Sequence, residues 1–105
     1  MADFSKILEQ ATQMQSRLEK IQGELEKMSV SGSSGGGMVT VEADGKGQIT
    51  KVRVDPSIVN ASDVEMLEDL LLVALRDAQQ KSTDLAKQEM GKLTGGLNLP
   101  FKLPF

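Results

Sequence analysis

Eight apolar residues, Phe4, Ile7, Ala11, Met14, Leu18, Ile21, Leu25 and Met28, follow one another at alternating steps of three and four. That spacing is the a/d stripe of a helix packed along its whole length against another helix. It predicts a first helix over residues 4–28, capped by Asp3 or Ser5. Gly23 lies off the stripe, so it weakens the helix by about 1 kcal/mol without interrupting the seam. At 1.5 Å per residue such a helix is about 36 Å long, more than the roughly 26 Å width of a compact chain of this size. An elongated helical surface, working in an oligomer, is therefore expected rather than a pocket.

The apolar period then changes to two. Val39, Val41 and Ala43 alternate with polar neighbours, and Val52 and Val54 share one face of a second run, with Ile49, Lys51 and Arg53 on the other. Asp44-Gly45-Lys46-Gly47 between the runs is a turn signal. Two strands alone are marginal, so a third strand or a packed helix must complete the unit. Ser29 to Gly32, turning back through the Gly/Ser run, is the candidate third strand, giving strands over about 29–55.

Asp55-Pro56 closes the sheet, and a second helix is predicted over residues 62–91. Ser62 and Glu65 have capping-box spacing, and Asp63, Glu65, Glu68 and Asp69 favour the positive end of the helix dipole. Val64, Leu67, Leu71, Ala74, Ala78 and Leu85 mark its buried face, and Gly91 is a natural stop. The run LEDLLLVAL is apolar on more than one side, as burial by both the sheet and another helix requires. Residues 93–105, with Gly95-Gly96 and two prolines, read as a flexible C-terminal tail. Residues 1–92 thus form one α+β domain: long helix, small antiparallel sheet, long helix.

Composition narrows the chemistry. The 105 residues include no Cys, His, Trp or Tyr. Disulfides, thiolate chemistry, the commonest general base and the commonest metal ligand are all missing. The Gly32–Gly37 run lacks the Gly-Lys-Ser/Thr and following helix of a phosphate loop, so a strand connection is the simpler account. Glu65, Glu68 and Asp69 are explained by the helix dipole, and no loop has calcium-site spacing. The methionines, Met14 and Met28 on the seam among them, read as core filling rather than as a promiscuous groove. No catalytic, metal, cofactor or small-molecule site is expected, and the protein is not expected to be an enzyme. The absence of an apolar signal segment, and of any run of 18 apolar residues, leads to the expectation of a cytoplasmic protein with no membrane attachment.

The basic residues are the one constellation with a functional meaning. Lys6, Lys20 and Lys27 share heptad position c with Arg17 beside them at g, while Glu9, Glu19 and Glu26 fall further round. Arg76, Lys81, Lys87 and Lys92 follow an acidic start in the second helix. A solvated charged face is the bland account of this sorting. The functional account is phosphate binding, because screening at about 8–10 Å makes local strips matter more than the net charge of −3. With no Tyr or Trp, stacking on single-stranded bases is disfavoured.

Three segments, GGGMVTVEADGKGQITKVRVDPSIV, DVEMLEDLLLVALRDAQQK and MGKLTGGLNLP, taken in order with the long first helix, resemble the YbaB/EbfC family of bacterial nucleoid-associated proteins. The resemblance covers nearly the whole chain. It implies a three-stranded sheet between the helices, a tweezer-like homodimer, and binding of double-stranded DNA with limited sequence preference in the nucleoid. The family has no catalytic or ligand motif to carry over. The DNA-binding residues expected from the strips are therefore Lys6, Arg17, Lys20, Lys27, Arg76, Lys81, Lys87 and Lys92. The alternative is a helical dimeric scaffold or chaperone-like factor for a polypeptide, suggested by the acidic balance and the apolar second helix.

Overall fold

The structure, a computed structural model, describes residues 2–94. Helix α1 (Ala2–Lys27) leads into β1 (Ser29–Ser34), a 3-10 turn at Gly35–Gly37, β2 (Val39–Asp44) and β3 (Ile49–Val54). A second 3-10 turn, Pro56–Ile58, precedes α2 (Val64–Thr94). The sheet is antiparallel in the order β1-β2-β3, so the third strand is present. Gly35, Gly36 and Gly37 all take positive φ, which glycine adopts without steric cost, and a strand follows them. The run is a tight strand connection.

Helix α2 lies across β1 and β2 and leaves β3 uncovered. Val39, Val41 and Ala43 point from β2 into Ala74 and Ala78 of α2, and all five are fully buried. Val30, Ile58, Leu70, Leu71 and Leu75 pack around them. The alanines bring the α2 backbone onto β1 itself. A Cβ at Gly32 would strike the backbone of Ala78 and stand 2.5 Å from the Ala74 carbonyl oxygen. The edge of β1 is also tied to α2. The Ser33 N–H donates to Asp77 Oδ2 (3.1 Å), Lys81 Nζ to the Ser31 carbonyl (3.0 Å), and Ser34 Oγ to the Leu70 carbonyl (2.6 Å). Backbone groups of an edge strand, otherwise open to another chain, are thereby occupied.

The far end of the domain is a polar junction. Asp44, 6% exposed, accepts the N–H groups of Lys46 (2.8 Å) and Gln48 (3.0 Å) on Oδ1. Its carbonyl accepts Ser82 Oγ at 2.7 Å. The Gly45 N–H donates to the Leu25 carbonyl at 2.8 Å, and Lys46 Nζ meets Glu26 Oε1 at 2.8 Å. That hydrogen bond, with the Glu26 charge, raises the Lys46 pKa. From this junction the helices run antiparallel as a projecting pair. The molecule measures 73 × 24 × 17 Å, with a radius of gyration of 19.6 Å against about 13 Å for a compact chain of this length.

Several local expectations are corrected. Helix α1 begins at Ala2, so Asp3 and Ser5 lie inside its first turns and do not cap it. The cap of α2 is Asp63, whose Oδ1 accepts the Met66 N–H at 3.2 Å. Ser62 instead donates its N–H to Asn60 Oδ1 at 2.9 Å. Helix α2 runs through Gly91 to Thr94, because Gly91 stays out of the positive-φ region and a lone glycine costs only about 1 kcal/mol. Val64 is 53% exposed rather than buried. Ile49 changes face: the register shifts between Glu42 and Ala43, leaving Thr50 extra and setting Ile49 opposite Ala43. It therefore joins Val52 and Val54 on the helix side of the sheet.

Among the described residues the a/d stripe is not covered along its whole length. Leu25 is buried, and Met14, Leu18, Ile21 and Met28 are half-buried. Phe4 and Ile7 are 65% and 60% exposed, and Ala11 is exposed as well. The expected C-terminal tail falls, from residue 95 onward, outside the described residues.

Candidate nucleic-acid interface

The eight expected DNA contacts divide into three groups. Arg17 and Lys20 of α1 and Lys92 of α2 come together around a shallow hollow of about 210 Å³, with Ile21, Glu24 and Glu89. Lys87 lines a neighbouring groove of about 340 Å³ with Lys46, between the end of α1, the β2–β3 turn and α2. Lys6, Lys27, Arg76 and Lys81 stand apart from both hollows.

Two of the eight carry ion pairs. Lys81 pairs with Asp77 at 3.3 Å while holding the Ser31 carbonyl, and Lys92 pairs with Glu89 at 3.1 Å. Lys6, Arg17, Lys20, Lys27, Arg76 and Lys87 are exposed and carry no ion pair among the described residues. Long, flexible cationic side chains of this kind can reach a phosphate without first giving up an ion pair shown here.

Lys51 and Arg53 add two cations that helix-face sorting passes over. They project from the outer face of β3 opposite Glu42 and Thr40, around a hollow of about 190 Å³, with no ion pair among the described residues. Their alternation with Val52 and Val54 is the sequence signal that marks them.

The Asp77–Lys81 pair should behave as structure. The Ser33 N–H, then Lys81, hold the Asp77 carboxyl below its ordinary pKa. A depressed carboxylate stabilises the fold above its unfolded pKa, and that contribution is lost as pH falls through the native value. Asp77→Asn is therefore expected to lower the urea midpoint at neutral pH and to narrow the gap from wild type at strongly acidic pH. Lys81→Met should likewise lower the melting temperature by a few degrees while leaving DNA affinity and its salt dependence unchanged. Urea unfolding at the two pH values checks the first, and thermal melts with salt titrations of DNA binding check the second.

A second surface is apolar. Ile49 (38% exposed), Val52 (49%) and half-buried Val54 lie on the helix side of the sheet beyond the cover of α2. Leu72 and Val73 are exposed on α2 itself. Among the described residues no helix is long and apolar enough to cross a membrane, and no group of His, Cys, Asp or Glu is arranged to hold a metal ion.

Sequence comparison agrees with this geometry. The profile of the YbaB/EbfC DNA-binding family matches residues 1–97. The chain belongs to the YbaB/EbfC DNA-binding family. A nucleoid-associated protein of Gemmatimonas aurantiaca is 47% identical over 103 residues, covering 98% of this chain and 99% of the relative. One from Paramagnetospirillum magneticum is 50% identical, with both chains fully covered. Among solved structures, an uncharacterized Helicobacter pylori protein, HP0035, superposes with a TM-score of 0.79 at 24% identity. The match covers 88% of this chain and 97% of that one, and it establishes the shared helix–sheet–helix fold.

Proposed function

We propose that this YbaB/EbfC family member is a nucleoid-associated protein that binds double-stranded DNA as a tweezer-like homodimer, through phosphate contacts with little base readout. The observation that carries it is the set of six exposed cations, Lys6, Arg17, Lys20, Lys27, Arg76 and Lys87, that carry no ion pair among the described residues and are spread over two helices of an elongated molecule. Family membership supplies the ligand, and the names of the relatives supply the setting. The uncovered face of Ile49, Val52 and Val54 supports dimerisation, since exposed contiguous apolar surface marks an interface. Pairing two protomers doubles the cations available to one duplex.

Phosphate-dominated binding predicts a steep loss of affinity as salt rises, with a log–log slope near 0.9 per neutralised phosphate. Fluorescence anisotropy of random-sequence duplex at two salt concentrations measures it. Lys20→Glu with Lys27→Glu should weaken binding about equally on every sequence and lower the slope by about one per lost contact. A loss confined to one sequence would establish base readout instead, and salt-independent affinity would reject phosphate binding.

A further inference from the structure

The hollow that gathers Arg17, Lys20 and Lys92 also holds a carboxylate that phosphate binding does not need. Two short strips of side chains build it. Arg17, Lys20, Ile21 and Glu24 stand on α1 at the three- and four-residue separations that share one helix face, and Glu89 and Lys92 stand three apart on α2. Arg17 and Lys20 are exposed and carry no ion pair among the described residues. Glu89 differs from the other charged groups in being only 7% exposed. Its ion-pair partner is Lys92, whose Nζ lies 3.1 Å from Oε1 and whose side chain is 66% exposed.

The hollow sets three cations against two carboxylates. Taken as a sphere, its volume of about 210 Å³ is roughly 7 Å across, less than the screening length of about 8–10 Å, so all five charges act on one another. An entering phosphate meets the planar fork of Arg17 and, one turn on, the point charge of Lys20. Lys92 has one ammonium and two claimants. Turned toward the phosphate, it strips a carboxylate that is costly to leave alone away from water. Held by Glu89, it is withheld from the phosphate.

We propose that this hollow is a seat for a DNA phosphodiester spanning both helices, and that Glu89 is its internal competitor, holding Lys92 back and limiting affinity. The inference rests on the duplex-binding reading above. It adds a single carboxylate that sets the strength of binding.

Anisotropy titrations of random-sequence duplex with full-length variants, each at several salt concentrations, test it. Glu89→Gln keeps the side-chain shape, removes the charge and releases Lys92. It should tighten binding roughly fivefold at low salt and steepen the log–log salt slope by about 0.9, one further neutralised phosphate. Glu89→Gln with Lys92→Gln should lose both gains. Glu68→Gln removes the same charge about 31 Å away along α2, far beyond screening, and should change neither. An equal gain with Lys92→Gln present, or from Glu68→Gln, would show a general effect of charge and overturn the proposal.

Arg17→Gln, at an exposed site, gives a second readout that does not depend on how a buried substitution is tolerated. It should lower the slope by about 0.9, and a slope equal to wild type would also overturn the proposal. Wild-type protein that binds no duplex even at low salt would reject the proposed function itself. Salt-sensitive binding that is indifferent to Glu89→Gln rejects this inference alone.

Discussion

Gly32→Ala is expected to be the most damaging single-methyl change in the protein, costing about 3 kcal/mol or more. The added Cβ meets the backbone of Ala78 and Ala74, and neither can move aside as a side-chain end could. Relief requires α2 to lift from β1. That opens the contacts of Val39, Val41 and Ala43 with Ala74 and Ala78, together with the three polar ties between β1 and α2. Against a total stability of roughly 5–15 kcal/mol for a small domain, the loss is a large fraction. Urea unfolding followed by circular dichroism measures it. A midpoint within experimental error of wild type would mean that α2 does not sit on the β1 backbone.

Val52→Glu is expected to act on assembly rather than on folding. Val52 is 49% exposed on the uncovered strand, so a carboxylate there remains hydrated in an isolated protomer and far-UV circular dichroism should be unchanged. In a homodimer closed over that face, two carboxylates would be desolvated close to one another, at a cost a modest interface cannot meet. The expected result is a halved mass by sedimentation and DNA affinity lower by 100-fold or more, because two linked sets of contacts become one. A dimer mass that survives the substitution would move the interface away from β3. Lys51→Glu, beside Val52 on the opposite face, is the control: it should leave the mass unchanged.

How legible these features are in the sequence depends on the element. The a/d series of α1 and the alternation of β2 and β3 announce themselves because each periodicity reflects one repeated packing direction. Strand β1, SVSGSS, has almost no alternation to read. Its inward position at Gly32 is filled by helix backbone rather than by an apolar side chain, so the packing leaves no hydrophobic trace. The face of Ile49 is set by the extra residue Thr50, which simple alternation overlooks. For the candidate interface, spacing identifies the cations but not which of them are occupied. The acidic partners of Lys81 and Lys92 stand four and three residues before them, the separations at which helical side chains meet. That signal was present beside the basic strip. The ties from Lys81 to Ser31 and from Asp77 to Ser33 were not, since they span the chain from α2 back to β1.

The polar junction around Asp44 has a mechanical consequence. Helix α1 is fastened at its base by the Leu25–Gly45 hydrogen bond and the Glu26–Lys46 pair. Phe4 lies some 30 Å out along the shaft. A pivot of only 10° at that fastening would swing the tip through about 5 Å, comparable to the rise of one helical turn. Small shifts in the short hydrogen bonds of the β2–β3 turn are thereby geometrically amplified into large displacements of the α1 tip.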